Sequence, residues 1–412
     1  MTVERIVITG VGVVSALGAG REAFWRSLSA GASGLRPLSL FPVRSGGSRL
    51  AGEIAEFSPG PFIGTKGIRH FDRTALLLAC AAKLALEDAG IRDGAADPSR
   101  DDGIGIAVGS TFGTIGSIAA FDTEALREGP SYVNPMEFPN TVLNAPASRV
   151  SILFGVTGPN ATISTGEASG LDALGYANDF LRLGRARAML AGGVFGLGED
   201  VHRGFARARA LSGSEGGEEL CAPFDRRRNG IVLGEGSCLL FLETLEHARA
   251  RGARIYGEIA GYASAFRPRG ANPVMSGRRA IHAAIGRAHS VPSDSWCVFG
   301  GANSSPAADR LEAQTLRASF DGAAVCPPVS AIKSMCGECL DASGALQSAA
   351  ALLALSEQVV PPTINHRVAD EECDVDCVPN AARRMKVTHA LVTASSYAGH
   401  CSALVLSASP EV

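Results

Sequence analysis

A strand, a tight turn and a helix at residues 158–175 carry the clearest chemical signal in the chain. The segment reads GPNATISTGEASGLDALG, which predicts a strand over Ala161–Thr165 and a helix over Ser169–Leu183. Glu167 lies at the turn, where a nucleophile elbow thrusts its side chain out beside the N–H groups of a helix N-terminus. Glu167 is therefore a candidate carboxylate nucleophile or general base, or a buried carboxylate paired with Lys333 or an arginine.

Two cysteine pairs are candidates for a second site. Cys336 and Cys339 have C-x-x-C spacing, and Cys373 and Cys377 have C-x-x-x-C spacing. Four such side chains could hold a structural zinc, but neither pair lies in the short, charged setting of a zinc ribbon. We expect small buried thiols and no metal.

The composition is that of a globular protein without a nucleic-acid or membrane partner. Hydrophobic residues make up 46% of the 412 residues, and the formal net charge is −3. No basic and apolar leader precedes the first strand, and no apolar run reaches 18 residues. We expect a soluble cytoplasmic protein with reduced thiols and no cofactor. The segment G-V-G-V-V-S from Gly10 lacks the third glycine of a dinucleotide fingerprint.

Strands and helices alternate, and the pattern restarts after about residue 250. This predicts an α/β architecture with mostly parallel sheets in two halves, residues 1–250 and 251–412. The predicted strands are Val3–Thr9, Gly103–Val108, Ala161–Thr165, Ala188–Ala191, Arg254–Ala263, Cys297–Phe299, His389–Thr393 and Ser402–Ser407. The predicted helices are Arg73–Ala89, Ser169–Leu183, Gly277–Ala288 and Ala342–Leu355.

Five motifs in order resemble the β-ketoacyl-ACP synthase family. The elbow resembles S-T-G-C-T-S-G-L-D of type II polyketide ketosynthases, and the other four motifs are Val7–Gly18, Pro223–Gly236, Ala331–Gly344 and Ser396–Leu404. The resemblance implies a thiolase-like fold, a duplicated five-layer α-β-α-β-α core.

The resemblance also implies that the family's catalytic groups have been replaced. Glu167 stands at the position of the acyl-accepting cysteine. Gly301, in GANSSP, and Glu338, in KSMCGE, stand at the two histidine positions. Lys333 matches the family's lysine, and His400 is the one histidine near a motif that could act as a substitute donor.

A chain-length factor is the family role that agrees with these losses. This ketosynthase-like subunit of type II polyketide systems pairs with an active 3-oxoacyl-ACP synthase and shapes the acyl tunnel. The elbow residue of that subunit is most often glutamine, and glutamate leaves room for a branch making polyenes. The alternatives are a malonyl-ACP decarboxylase-type initiation subunit and a free-standing acyl-binding homodimer. Acyl carrier protein is expected to bind through the complex.

The resemblance implies a tunnel wall and a two-fold interface. The wall segments match Thr111–Ile118 and Phe138–Asn144, which makes Phe112, Phe138 and Leu143 candidate stops for the partner's acyl chain. Ordinary core packing is the alternative for each. The strand before the elbow, with Thr162 and Ser164, is expected to pair across the two-fold axis.

Overall fold

The computed structural model describes residues 4–43, 48–91, 103–289, 294–321 and 326–408. The strands are β1 (Ile6–Ser15), β2 (Gly18–Ala19), β3 (Arg36–Pro37), β4 (Leu50–Ala51), β5 (Ile104–Gly109), β6 (Asn160–Ile163), β7 (Ala188–Phe195), β8 (Gly236–Thr244), β9 (Gly257–Phe266), β10 (Trp296–Phe299), β11 (Val329–Ser330), β12 (Val359–Val360), β13 (Arg383–Arg384), β14 (His389–Ser395) and β15 (His400–Ala408).

Helices cover both halves of the chain. They are α1 (Arg21–Ser29), α2 (Gly60–Ile63), α3 (Arg73–Asp88), α4 (Ile115–Glu128), α5 (Ala145–Phe154), α6 (Ser169–Arg182), α7 (Glu199–Arg207), α8 (Leu245–Ala250), α9 (Pro273–Arg287), α10 (Pro306–Phe320), α11 (Lys333–Cys336) and α12 (Ser343–Glu357). In the described parts of the chain, none of them is long and apolar enough to cross a membrane.

One strand pattern occurs twice in the main sheet. Its order is β6-β5-β7-β8-β1, continued by β9-β15-β14-β10-β11. If the five strands of each run are numbered in chain order, both runs have the spatial order 3-2-4-5-1, the first read from β6 and the second from β11. Each run has the same two parallel and two antiparallel pairings. The sheet is therefore mixed, and the expectation of mostly parallel sheets is wrong because β8 and β15 return antiparallel to β7 and β14. The domain limits at residues 250 and 251 remain a prediction.

Two helices lie between the halves of the sheet. Helix α12 contacts β8 on one side and β14 on the other, and it packs against α6. Every residue from Ser343 to Leu355 is buried, as a helix enclosed on all sides requires. Helix α3 covers the outer face of the first half, and α9 covers that of the second. These five layers confirm the predicted thiolase-like fold.

Two predicted strands end too early because their glycines were interpreted as stops. Strand β1 continues through Gly10 and Gly12 to Ser15, and β7 continues through Gly192 and Gly193. A Cβ on Gly10 would lie 2.3 Å from the Ala85 carbonyl oxygen of α3. Gly10 and Gly12 allow α3 to approach the sheet closely, whereas a Cβ on Gly192 would meet the Cys238 carbonyl oxygen of β8. None of these glycines ends its strand. Strand β8, the two-residue strands and helices α1, α2, α4, α5, α7, α8, α10 and α11 were not predicted.

Candidate functional site

The predicted elbow forms, with Glu167 at its tip. Strand β6 ends at Ile163, Gly166 takes a φ of 71°, and α6 begins at Ser169. The Ser169 hydroxyl accepts a hydrogen bond from the Thr165 N–H (2.9 Å) and donates one to the Gly166 carbonyl (2.5 Å). Glycine is required at position 166 for two reasons. Other residues rarely adopt its positive φ, and a Cβ here would lie 2.8 Å from Cβ of Ser396.

The Glu167 carboxyl turns toward backbone N–H groups. Its Oε2 accepts a hydrogen bond from the N–H of Tyr397 (3.2 Å). Burial and, secondly, the nearby charge of Glu338 raise the pKa of Glu167 to about 7, against the lowering effect of the backbone N–H groups and Lys333. The carboxyl is thus poised between its neutral and charged forms near neutral pH.

Glu338 is buried and fully occupied as an acceptor. Its Oε2 accepts from Lys333 Nζ (2.8 Å) and Asn303 Nδ2 (2.7 Å). Its Oε1 accepts from the Ser343 hydroxyl (2.8 Å) and the Leu340 N–H (3.0 Å). This carboxylate offers no N–H group to a substrate, whereas an imidazole would.

Lys333 lies behind the site. Its Nζ donates to Glu338 and to the Gly301 carbonyl oxygen (3.0 Å). Burial alone would lower the pKa of Lys333, but the charge and hydrogen bond of Glu338 raise it above its ordinary value. The predicted pairing of Glu167 with Lys333 is not found, because the ammonium group of Lys333 bonds to Glu338 and acts on Glu167 only through its charge.

Gly301 lies beside a further carboxylate, that of Glu312. Its N–H donates to Oε1 of Glu312 (2.8 Å), which also accepts from the Thr393 hydroxyl (2.6 Å). A Cβ at position 301 would lie 3.5 Å from Oε2 of Glu312 and 3.3 Å from the Thr393 carbonyl oxygen. Burial raises the pKa of Glu312.

A cavity of about 230 Å³ opens at this point and extends between α9 and α10. Glu167 and Gly301 both lie in its wall, with Lys333 and Glu338 directly behind Gly301. The four residues that the resemblance singles out are therefore brought together. The polar residues of the wall are Glu167, Arg267, Asn303, Ser305, Glu312, Thr315, Thr393, Ser395, Ser396, Tyr397, Cys401 and Ser402.

Among the residues that the structure describes, the cavity wall has one thiol and no imidazole. Burial raises the pKa of Cys401, which keeps its thiol protonated at neutral pH. His400 is outside the wall, with its ring edge-on to Phe266 at 5.0 Å between centroids. Nothing in this arrangement supports His400 as a substitute donor.

The cysteine pairs lie apart from the cavity. Cys336 and Cys339 belong to the central apolar cluster, and Cys373 and Cys377 to another cluster in the second half. Among the described residues, no group of three or more His, Cys, Asp or Glu side chains could hold a metal ion. The four thiols thus lie in two separate sites.

The predicted tunnel residues lie on a different face, around α4. Phe112 is half-buried and stands edge-on to Phe195, at 6.1 Å between centroids. Phe138 is 59% exposed and Leu143 is 43% exposed. Phe112 also lines an apolar hollow with Ile115, Val201, Gly204 and Phe205.

The predicted interface strand β6 is an outer strand of the main sheet. It pairs with β5, with Thr162 opposite Val108, and the sheet order ends at β6. Ser164 is exposed and follows the strand rather than belonging to it. Large apolar side chains are exposed in the segments that precede β6: Leu126, Tyr132, Met136, Phe138, Val142, Leu143 and Ile152. We call these seven residues the apolar surface.

Sequence reasoning missed Glu312, Asn303 and Tyr397 as site residues. Asn303 and Tyr397 lie inside two of the motifs described above, but only the cysteine and histidine positions of those motifs were considered as catalytic. Glu312 lies on α10, whose sequence PAADRLEAQTLRASF was not assigned to a helix. Its apolar residues at 313, 316 and 320 follow helical spacing and were a usable signal.

Comparisons with known proteins agree with the fold and the motifs. The family models for the N-terminal and C-terminal domains of beta-ketoacyl synthase match residues 3–248 and 256–367. The chain is 35% identical over 418 residues to 3-oxoacyl-(acyl-carrier-protein) synthase 2 of Coxiella burnetii, covering 99% of each.

Two solved structures are similar over almost the whole chain. The ishigamide ketosynthase/chain length factor has a TM-score of 0.90 and 29% identity, covering 99% of this chain and 100% of that one. A type II PKS acyl-carrier protein in complex with its ketosynthase, bound to the hexaketide, has a TM-score of 0.88, 29% identity and the same coverage. The chain belongs to the β-ketoacyl synthase family.

Proposed function

We propose that this chain is a non-catalytic, chain-length-factor-type subunit that pairs with an active 3-oxoacyl-ACP synthase in the cytoplasm. The observation that carries the proposal is the saturated carboxylate Glu338 at one of the family's histidine positions, with Gly301, which has no side chain, at the other. Decarboxylative condensation develops negative charge on the malonyl thioester oxygen, which needs hydrogen-bond donors. Carboxylates at positions 167 and 338 would repel that charge.

Three donors close to Glu167 and Glu338 are already engaged. The amide of Asn303 and the ammonium of Lys333 both bond to Glu338. The Tyr397 N–H bonds to Glu167, so the elbow's own carboxylate takes up a donor that an acyl oxygen would need. Residual decarboxylation is therefore disfavoured.

The apolar surface and the β6 edge support a partner subunit. An outer strand with unpaired backbone groups, next to seven exposed apolar side chains, is costly in water and is typical of a subunit interface. The similar ketosynthase/chain length factor and the ketosynthase bound to acyl-carrier protein support a ketosynthase as the partner and acyl carrier protein as the ligand of the complex. In this role, Phe112, Phe138 and Leu143 would limit the acyl chain, and Thr162 and Ser164 would lie at the two-fold interface.

Co-expression with an active ketosynthase tests the pairing. We expect a 1:1 complex on size-exclusion chromatography and in native mass spectrometry, and aggregation of the chain expressed alone. A stable homodimer that binds none of the ketosynthases tested would instead indicate the free-standing acyl-binding protein.

A further inference from the structure

One buried asparagine lies inside the exposed segment that precedes α5. Between residues 131 and 144, Asn140 is the only buried residue, at 5% exposure. Met136, Phe138 and Leu143 on either side of it belong to the apolar surface and are 43–62% exposed. An asparagine is seldom buried unless its amide is hydrogen-bonded. The burial of Asn140 therefore needs a cause that its neighbours do not share.

The cause is a set of hydrogen bonds to other segments. Asn140 Nδ2 donates to the His70 carbonyl oxygen (2.9 Å) and to Oε2 of Glu137 (3.0 Å), and Oδ1 accepts from Arg149 of α5 (2.9 Å). The Asn140 carbonyl oxygen accepts from the hydroxyl of Thr114, immediately before α4. Asn140 thus joins its own turn to the loop before α3, to the start of α4 and to α5.

The backbone of this segment is held by bonds of short range. The N–H groups of Glu137 and Thr141 each bond to the carbonyl oxygen three residues earlier, which fixes the local turn but not its place on the protein. Phe138 contacts Phe121 of α4 edge-on at 6.2 Å between centroids, yet it remains 59% exposed. Segments with few buried apolar contacts open locally at a low free energy. The bonds of Asn140 oppose such opening.

We propose that Asn140 is a positioning residue, which holds residues 136–143 in the arrangement that the partner ketosynthase binds. The proposal rests on the proposed function, because it takes a ketosynthase as the partner of the apolar surface. Asn140 is buried, so it acts through the exposed side chains of Met136, Phe138 and Leu143. A segment that is ordered before association loses less conformational entropy on binding, which raises the affinity.

The variant Asn140→Asp tests the proposal. It keeps the size of the side chain and the bond to Arg149, but it turns an oxygen toward the His70 carbonyl and the Glu137 carboxylate. We expect hydrogen–deuterium exchange of the amides at residues 136–144 to become at least tenfold faster in the isolated chain at micromolar concentration. The affinity for the ketosynthase, measured by surface plasmon resonance, should fall at least tenfold.

The variant Glu137→Gln should rescue Asn140→Asp. Glu137 meets Nδ1 of His70 with Oε1 (3.3 Å) and the Asn140 amide with Oε2 (3.0 Å). In the double variant the new amide nitrogen would donate to the new carboxylate, and we expect exchange and affinity within threefold of wild type. If circular dichroism shows that Asn140→Asp is unfolded, Thr114→Val removes the hydroxyl that bonds to the Asn140 carbonyl and should give the same two changes.

The matched control is Asn144→Asp, the same substitution in the same segment. The Asn144 side chain is exposed and makes no cap hydrogen bond to α5, so this variant should leave the exchange unchanged and the affinity within threefold of wild type. An equal loss of affinity in Asn144→Asp and Asn140→Asp would overturn the proposal, because the added charge alone would then explain it. Unchanged exchange in Asn140→Asp, or a double variant no better than Asn140→Asp, would overturn it too.

The binding experiment also separates this proposal from the proposed function. If the wild-type chain and Asn140→Asp bind the ketosynthase equally well, the positioning role of Asn140 is wrong and the proposed function stands. If the wild-type chain binds no ketosynthase, both are wrong.

Discussion

At the scale of single residues, Glu167 is the most unusual group in the molecule. Its pKa is raised to about 7 mainly by burial, and secondly by Glu338. A carboxyl group with a raised pKa favours the folded state when protonated and opposes it when charged. Glu167 therefore lowers the free energy of unfolding as the pH rises from about 4.5 to about 7.

The variant Glu167→Gln should remove this pH dependence. Each pKa unit corresponds to about 1.4 kcal/mol, so the variant should gain at most about 3 kcal/mol in its free energy of unfolding at pH 8, less for the partial exposure of the side chain, and almost nothing at pH 4. Urea unfolding of both proteins at the two pH values measures this difference. Using the difference from wild type cancels the other raised carboxyl groups, such as Asp309 and Asp341. Equal gains at both pH values would contradict the assignment.

The variant Glu167→Cys should recover acylation but not condensation. The turn and the N-terminus of α6 remain, so a thiol at position 167 is expected to take up an acyl group slowly. Condensation still lacks imidazoles at Gly301 and Glu338, and each missing donor of this kind typically costs about 10² to 10³ in rate.

Intact-protein mass spectrometry with acyl-ACP, followed by product analysis, checks the Glu167→Cys prediction. The expected result is an acylated variant with no carbon–carbon bond formation. A matched control is Ser164→Cys, an exposed thiol beyond the end of β6 that should not be acylated. Condensation by Glu167→Cys alone would show that the missing imidazoles are not needed.

At the scale of elements, the interface prediction rests on β6 and the helix before it. Ile152 on α5 is 79% exposed, so its replacement by lysine should leave the fold of the isolated chain intact. In the complex, the same change would bury an unpaired charge, and we expect at least a tenfold weaker association with the ketosynthase. The control Val368→Lys alters a side chain that is 38% exposed and lies outside the apolar surface. Equal association of both variants, measured by surface plasmon resonance, would place the interface elsewhere.

The tunnel prediction concerns the segment between α4 and α5. Replacing Phe138 or Leu143 with Ala in the complex should lengthen the product, because a smaller side chain at a tunnel stop leaves more room for the acyl chain. Both side chains are exposed in the isolated chain, so the replacement should leave its fold intact. Mass spectrometry of the products measures chain length, with Met275→Ala on α9 as the control. Normal yield at unchanged length would favour ordinary packing for these residues.

At the scale of the whole molecule, features set by a local sequence pattern were predicted better than features that depend on contacts between distant segments. The elbow was predictable because Gly166 and the apolar pattern of α6 lie within a few residues of Glu167. The Asn303–Glu338 hydrogen bond and the Gly301–Glu312 contact depend on how distant segments meet in three dimensions. Strand β1 was predicted too short because Gly10 was interpreted as a turn residue. Its role in the fold is to let α3 pack closely against the strand.

Catalysis by the unmodified, partner-free chain is the most direct test of the proposed function. Radiolabelled malonyl-ACP would be supplied to the chain alone, to an active ketosynthase alone and to their complex, with released carbon dioxide and condensed product both counted. The proposed function predicts no turnover above background for the chain alone, and product of defined length from the complex. Decarboxylation or condensation by the chain alone, at a rate comparable with that of the complex, would contradict it.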